Sequence, residues 1–186
     1  MGARVLETIG AVIAPWRKAK EPIMQKISPF LWFDNEAEEA ANFYVSVFKN
    51  SKITSASRYG DAGPGPKGSV MTIGFELDGQ PFTALNGGPI FKFTEAVSFV
   101  VDCEGQAEVD AIWDQLTADG GQPGQCGWLK DRFGLSWQVV PTVLHELIGG
   151  SDREKAGRAV QAMMKMTKLD IAKLQAARDG KQEAAA

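Results

Sequence analysis

Residues 127–141 read GWLKDRFGLSWQVVP and crowd two tryptophans, a phenylalanine and a glutamine around a turn marked by Asp131 and Gly134. Past the turn the residues alternate as in a strand, with Leu135, Trp137 and Val139 on one face and Ser136, Gln138 and Val140 on the other. A glutamine among aromatic side chains can orient a small ligand through its neutral amide. Trp32, Asn86, Cys126, Trp128 and Trp137 are the residues with which Gln138 would line such a pocket, aromatic walls carrying a few convergent polar groups.

Other reactive side chains are few. Cys103 and Cys126 lack C-x-x-C spacing and form at most one disulfide, so reduced thiols in a cytoplasmic protein are the simpler expectation. Cys126 would be a nucleophile only beside a base, and the one histidine, His145, falls in the helical tail. Glu95 and Asp102 are a candidate acid–base pair around a ligand, with a strand-end role for Asp102 as the alternative. Lys130, Asp131 and Arg132 read as parts of the turn itself.

The chain that must position these groups has 186 residues, which suits one domain with terminal extensions. A formal net charge of −3 leaves no basic footprint for nucleic acid or an anionic membrane. No apolar run approaches the roughly 18–20 residues that span a bilayer. Near the N-terminus Val5, Leu6, Ile9, Val12, Ile13 and Trp16 recur at helical spacing among Arg4, Arg17, Lys18 and Lys20. An amphipathic, partner-binding helix is one reading. A dispensable extension of residues 1–25, with Met24 as the working start, is the favoured one.

From residue 27 the pattern becomes regular. Residues 27–33 read as a buried strand, and residues 36–48 as a helix with Ala37, Ala40, Ala41, Tyr44 and Phe48 on one side. Asn35 is the expected N-cap, with Glu38 in capping-box position. Strands are expected near 52–59, 69–77 and 81–86, the last two joined by a hairpin at Asp78-Gly79. The order then repeats, with a strand at 96–101, a helix at 106–119 and two strands around the Asp131–Gly134 turn. ISPFLWFDNEAEEAANFYVSVF and AVSFVVDCEGQAEVDAIWDQL match in pattern, so residues 26–142 divide into two strand–helix–strand–strand modules, about 27–88 and 95–141. Their sheets are expected to face each other around a cleft. The glycine-rich stretch 59–69 is a solvent loop or a cover for that cleft, since it lacks the GK[ST] ending of a phosphate loop. Residues 143–186 read as a helical tail whose run AMMKMTKL serves core or dimer packing or, alternatively, an adaptable partner surface.

Three strings, FELDGQPFTALNGGPIFKFTEAVSFVVDCE, CGWLKDRFGLSWQVVP and MMKMTKLDIAKL, resemble the PhnB-like branch of the vicinal oxygen chelate superfamily. This branch is often labelled 3-demethylubiquinone-9 3-methyltransferase, and the superfamily includes glyoxalase I, fosfomycin- and bleomycin-resistance proteins and extradiol dioxygenases. The resemblance covers about residues 26–176. It implies an α+β fold of paired βαβββ modules, usually a homodimer, and in many members a divalent metal held by His, Glu or Gln at four inward strand positions. Counting back fourteen residues from Phe43, as in the resistance proteins, places the first of these at Pro29. Its second-module equivalent is Ser98, and the last-strand carboxylate position falls on Gln138, with Thr83 as its counterpart. Two hydroxyls, one amide and a proline are not the donors a divalent ion needs. Nor does the chain contain the glycine-rich strand-to-helix turn and following acid that hold an adenosyl cofactor. The expectation is a metal-free, cofactor-free cleft for a small apolar or aromatic molecule, lined by Trp32, Thr83, Asn86, Ser98, Cys126, Trp128, Trp137 and Gln138. A metal-dependent lyase, isomerase or dioxygenase is the first alternative, and a dimeric interaction protein the second.

Overall fold

A computed structural model describes residues 26–181, so the readings of Val5–Trp16 and of a start at Met24 lie outside the described residues. The first module runs β1 (Phe30–Phe33), α1 (Ala37–Val47), β2 (Lys52–Arg58), β3 (Val70–Leu77) and β4 (Gln80–Asn86). The second repeats it as β5 (Ser98–Cys103), α2 (Gln106–Thr117), β6 (Gln122–Pro123), β7 (Trp128–Lys130) and β8 (Ser136–Pro141). Helices α3 (Leu144–Ile148), α4 (Arg153–Met163) and α5 (Ile171–Arg178) form the tail. The sheets are ordered β1-β4-β3-β2 and β5-β8-β7-β6, and in each the first strand lies parallel to the last. The α+β fold of paired βαβββ modules is therefore the one observed.

Local chemistry explains most of these boundaries. Asp78 and Gly79 both take positive φ, 46° and 78°, the primed two-residue turn whose twist matches that of the flanking strands. The helical pattern expected to reach Asp119 ends at Thr117 and continues only as a short 3-10 turn over 118–120. One expectation fails at the start of α1. Asn35 does not cap it; Glu36 takes the cap position, and its carboxylate accepts from the Asn35 N–H at 3.1 Å. The unpaired Ala37 N–H donates instead to Oδ1 of Asn86 at 2.8 Å, while Asn86 Nδ2 donates to the Val70 carbonyl at 3.0 Å. Register explains this, because Asn86 pairs with Phe33 at the end of β1 and so stands where the helix begins. Asn86, expected in the pocket, thus spends its side chain on the fold. Asn86→Ala should cost about 1–2 kcal/mol, the usual loss for a removed helix cap, seen as a lower urea midpoint at unchanged m.

Strand alternation sends one face of each sheet to its helix. Leu31, Phe33, Ile73, Phe75, Phe82 and Ala84 pack beneath α1, where Ala37, Ala40 and Ala41 are buried and let the helix lie close. Leu129, Trp137 and Val139 do the same beneath Val109, Ile112, Trp113 and Leu116 of α2. These two helix-side faces merge into one core. The Tyr44 ring lies 5.5 Å and the Phe48 ring 5.1 Å from Trp137, and Phe43 lies 5.9 Å from Phe133. The modules of a single chain therefore join through their helix sides rather than facing each other sheet to sheet as expected. The opposite sheet faces are partly exposed, except where the tail covers Val140 of β8 and at the buried Ser136.

The tail builds a second cluster, in which Val140, Leu144, Leu147, Leu169 and Leu174 are buried and Met163 and Met166 pack against them. It is pinned to the second module by Gln106, which donates to the Leu169 carbonyl at 3.0 Å and accepts from the Ile171 N–H at 2.8 Å. Lys168 adds ion pairs to Asp110 at 2.9 Å and Asp114 at 3.3 Å. No described helix is long and apolar enough to cross a membrane.

Candidate functional site

Because Trp137 and Val139 point into the core, Ser136 and Gln138 lie on the other face of β8, where Ser136 is buried and Gln138 is half-buried. Register places Gln138 between Val100 on β5 and Trp128 on β7, and Ser136 between Ser98 and Lys130. Gln138 Nε2 donates to Ser98 Oγ at 2.9 Å. Gln138, Ser98 and Trp128 are half-buried, and Val100 beside them is 56% exposed. At the margin the Lys130 ammonium pairs with Glu95, and this hydrogen bond holds the Glu95 carboxyl below its ordinary range. Glu95 is thus engaged with Lys130, and no acid–base contact joins it to Asp102 among the described residues.

The first module presents the matching face. Phe30 and Trp32 on β1 lie beside Thr83 and Leu85 on β4, and Phe30 is 60% exposed. The Trp32 indole donates to the Gly88 carbonyl at 2.8 Å and meets Phe91 edge-on at 5.0 Å. Gly87 underlies that ring so closely that a Cβ would fall 2.2 Å from it, which requires glycine there. The structure therefore gathers Ser98, Trp128 and Gln138 on one sheet and Trp32 and Thr83 on the other. No hydrogen bond or ring contact joins these two groups among the described residues.

The remaining predicted residues lie elsewhere. Cys126, at φ 58°, gives its N–H to the Met166 carbonyl at 2.8 Å, and its Sγ lies 3.6 Å from Met164 Sδ, so it belongs to the tail contact. Cys103 is buried, and that burial pushes its thiol up to about 11, far from a reactive thiolate at neutral pH. Trp137 is 2% exposed and lies on the opposite side of β8 from Gln138.

Asp131 was not recognisable as more than a turn residue. Its Oδ2 accepts from Tyr44 Oη at 2.8 Å and Trp137 Nε1 at 2.9 Å, and its Oδ1 from the Phe133 and Leu135 N–H groups at 2.9 and 3.0 Å. Burial holds its carboxyl above the ordinary value against the pull of these four donors. Burial, with the Asp131 charge second, also pushes the Tyr44 hydroxyl well above the usual tyrosine range. The signal available in sequence was indirect: a buried tyrosine and a buried tryptophan each need a partner for their polar handle.

At the four positions where the resemblance implies a divalent metal, the donors do not fit one. Pro29 offers only its carbonyl, which accepts from the Thr83 N–H at 3.1 Å, and Gln138 turns its amide nitrogen to Ser98. What remains is neutral oxygen, and no group of three or more His, Cys, Asp or Glu able to hold an ion occurs among the described residues. A groove of about 820 Å³ runs between the end of α1, the β3–β4 hairpin, β5 and α2, floored by Phe48, Phe82, Phe99 and Trp137 and reaching Val100 at the margin of the Gln138 face.

A family model described as 3-demethylubiquinone-9 3-methyltransferase matches residues 25–140. A solved PhnB protein of Bacillus cereus carrying that same name is 40% identical, with 63% of this chain and 100% of that one covered at a TM-score of 0.59. Protein PA1353 of Pseudomonas aeruginosa is 21% identical, covering 62% and 96% of the two chains at a TM-score of 0.52. The fosfomycin resistance protein FosX of Listeria monocytogenes is 14% identical, covering 69% and 99% at a TM-score of 0.50. These last two are likenesses of fold alone. No curated protein matches the chain. The extent of the family match and the fully covered 40%-identical relative lead to one conclusion: the chain belongs to the 3-demethylubiquinone-9 3-methyltransferase-like, or PhnB-like, family of the vicinal oxygen chelate superfamily.

Proposed function

We propose that this protein binds a small, neutral, apolar or aromatic molecule on the open face around Gln138, without a metal or an organic cofactor. The observation that carries the reading is the Ser98–Gln138 hydrogen bond of 2.9 Å, a half-buried polar couple set between Val100 and Trp128 on the sheet face turned away from the core. A homodimer completes the site. Phe30, Ile90, Phe91, Val97 and Val100 are exposed on β1, on β5 and in the segment joining β4 to β5. β1 and β5 each form one of the two edges of their sheets, and apolar residues grouped on such an edge are what a two-fold partner buries. The partner's Trp32 face then becomes the second wall. Both cysteines are free, in keeping with a cytoplasmic setting.

Gln138→Ala tests this reading. Native mass spectrometry of the purified protein with an aromatic metabolite extract should show a bound small molecule on a dimer. Substitution should weaken that binding about tenfold and leave the melting temperature nearly unchanged, since the half-buried amide bonds only Ser98. Lost stability with unaltered binding would make Gln138 a packing residue. Stoichiometric zinc, nickel, manganese or iron in protein purified without chelators would overturn the metal-free reading. A dimer with no exchangeable ligand would favour the interaction-protein reading.

A further inference from the structure

We infer that Ser136 is a second polar reader of this face and that its ligand carries a carbonyl oxygen beside an N–H or O–H donor, as a cyclic amide does. This rests on the ligand face proposed above. Ser136 is 1% exposed, and its Oγ is buried without a hydrogen-bond partner among the described residues. A hydroxyl so placed forfeits its hydration and gains nothing in return, which is rare enough in a folded chain to require a reason. Its place in the fold supplies one. Ser136 lies directly opposite Ser98 and two residues from Gln138, on the face that both share.

Donor and acceptor accounting defines the complement. Ser98 Oγ already accepts from Gln138 Nε2, so its own proton is free to donate, as is that of Ser136. Gln138 Oε1 receives no hydrogen bond among the described residues and is free to accept. Two hydroxyl donors on neighbouring strands, about 4.8 Å apart, can close on one carbonyl oxygen, and the adjacent amide oxygen takes a donor on the same ring. Trp128, next to Gln138 in register, offers a surface for the body of that ring. Charge is matched without the ligand, because Lys130 beside Ser136 is already paired with Glu95. The pair stands next to Ser136 in register, the Glu95 side chain is 60% exposed, and a solvent-facing ion pair parts at little cost.

The experiment measures binding of 2-quinolone, N-methyl-2-quinolone and naphthalene to the full chain and to Ser136→Ala, by titration calorimetry or ligand-observed NMR. 2-Quinolone should bind at least fivefold more tightly than either analogue. Ser136→Ala should erase most of the advantage over naphthalene while keeping that over N-methyl-2-quinolone, leave naphthalene unaffected and raise the melting temperature, because it deletes an unpaired buried hydroxyl. Equal binding of 2-quinolone and naphthalene would overturn the inference while leaving the ligand face standing. So would a variant that melts lower with unchanged affinities, the mark of a hydroxyl satisfied within the fold or by an ordered water only. Failure of all three probes to bind would count against the ligand face itself and remove the inference with it.

Discussion

Asp131→Ala should lower the unfolding free energy by about 3–5 kcal/mol, the range for removing one partner of a buried ionic hydrogen-bond network. The carboxylate is nearly inaccessible and is the shared acceptor for Tyr44, Trp137 and two turn amides. Alanine leaves all four donors without this acceptor, three of them buried. The damage also crosses the molecule, since Tyr44 belongs to α1 of the first module and the other three donors to the second. Asp131→Asn should recover only part of the loss, because an amide offers one acceptor oxygen and turns an NH₂ toward donors. Urea unfolding with matched m values checks both variants. The pH dependence has a definite sign. Asp131 has a folded-state pKa raised above its unfolded value, so its contribution is fully present below the unfolded value of about 3.8 and declines as pH rises through the folded one. The penalty of Asp131→Ala should therefore be larger near pH 4 than at pH 7.

How little of this network showed in the sequence has a physical cause. Asp131 sits three residues before Gly134, in a pattern that marks a turn wherever it occurs, and the turn does form, with the Gly134 N–H donating to the Asp131 carbonyl at 2.9 Å. Local spacing cannot tell that the same carboxylate faces inward, because its decisive partner lies 87 residues away. Asn86 escaped for the same reason. The local signal favoured Asn35 as the cap, whereas the residue that caps α1 comes from a strand 49 residues downstream, placed there by register. The two-residue β6 was too short to leave any periodicity.

What was legible rested on repetition and on alternation, both local properties. The matched module strings, the Asp78-Gly79 hairpin and the split of β8 into a Trp137 side and a Gln138 side all appear as read. Position counting also put Ser98 and Gln138 among four positions of one ligand set, as the second-module equivalents of Pro29 and Thr83, and the Ser98 and Gln138 side chains are in contact. The same counting could not show how the modules pack. That depends on Tyr44, Phe48 and Trp137 meeting across the helix sides, a choice of tertiary packing that strand patterns leave open.

Trp137 carries the second large effect and also decides between the Gln138 face and the groove between the modules. Trp137→Ala should cost about 3–5 kcal/mol, since it empties a site packed by Tyr44, Phe48 and Phe99 and strands one Asp131 acceptor bond. Trp137→Phe keeps much of the ring packing and loses the indole N–H, so about 1–2 kcal/mol is expected. Combined with Asp131→Ala, the phenylalanine variant should cost less than the sum of the two, because both changes delete the same 2.9 Å hydrogen bond. Thermal unfolding of the four proteins in that cycle gives the coupling. Ligand binding then separates the sites. Trp137 lies behind β8 as seen from Gln138, yet it floors the groove with Phe82 and Phe99. A folded Trp137→Phe protein that binds aromatic probes normally, where Gln138→Ala does not, assigns the ligand to the open face. Lost binding in Trp137→Phe with Gln138→Ala unaffected would assign it to the groove between the modules.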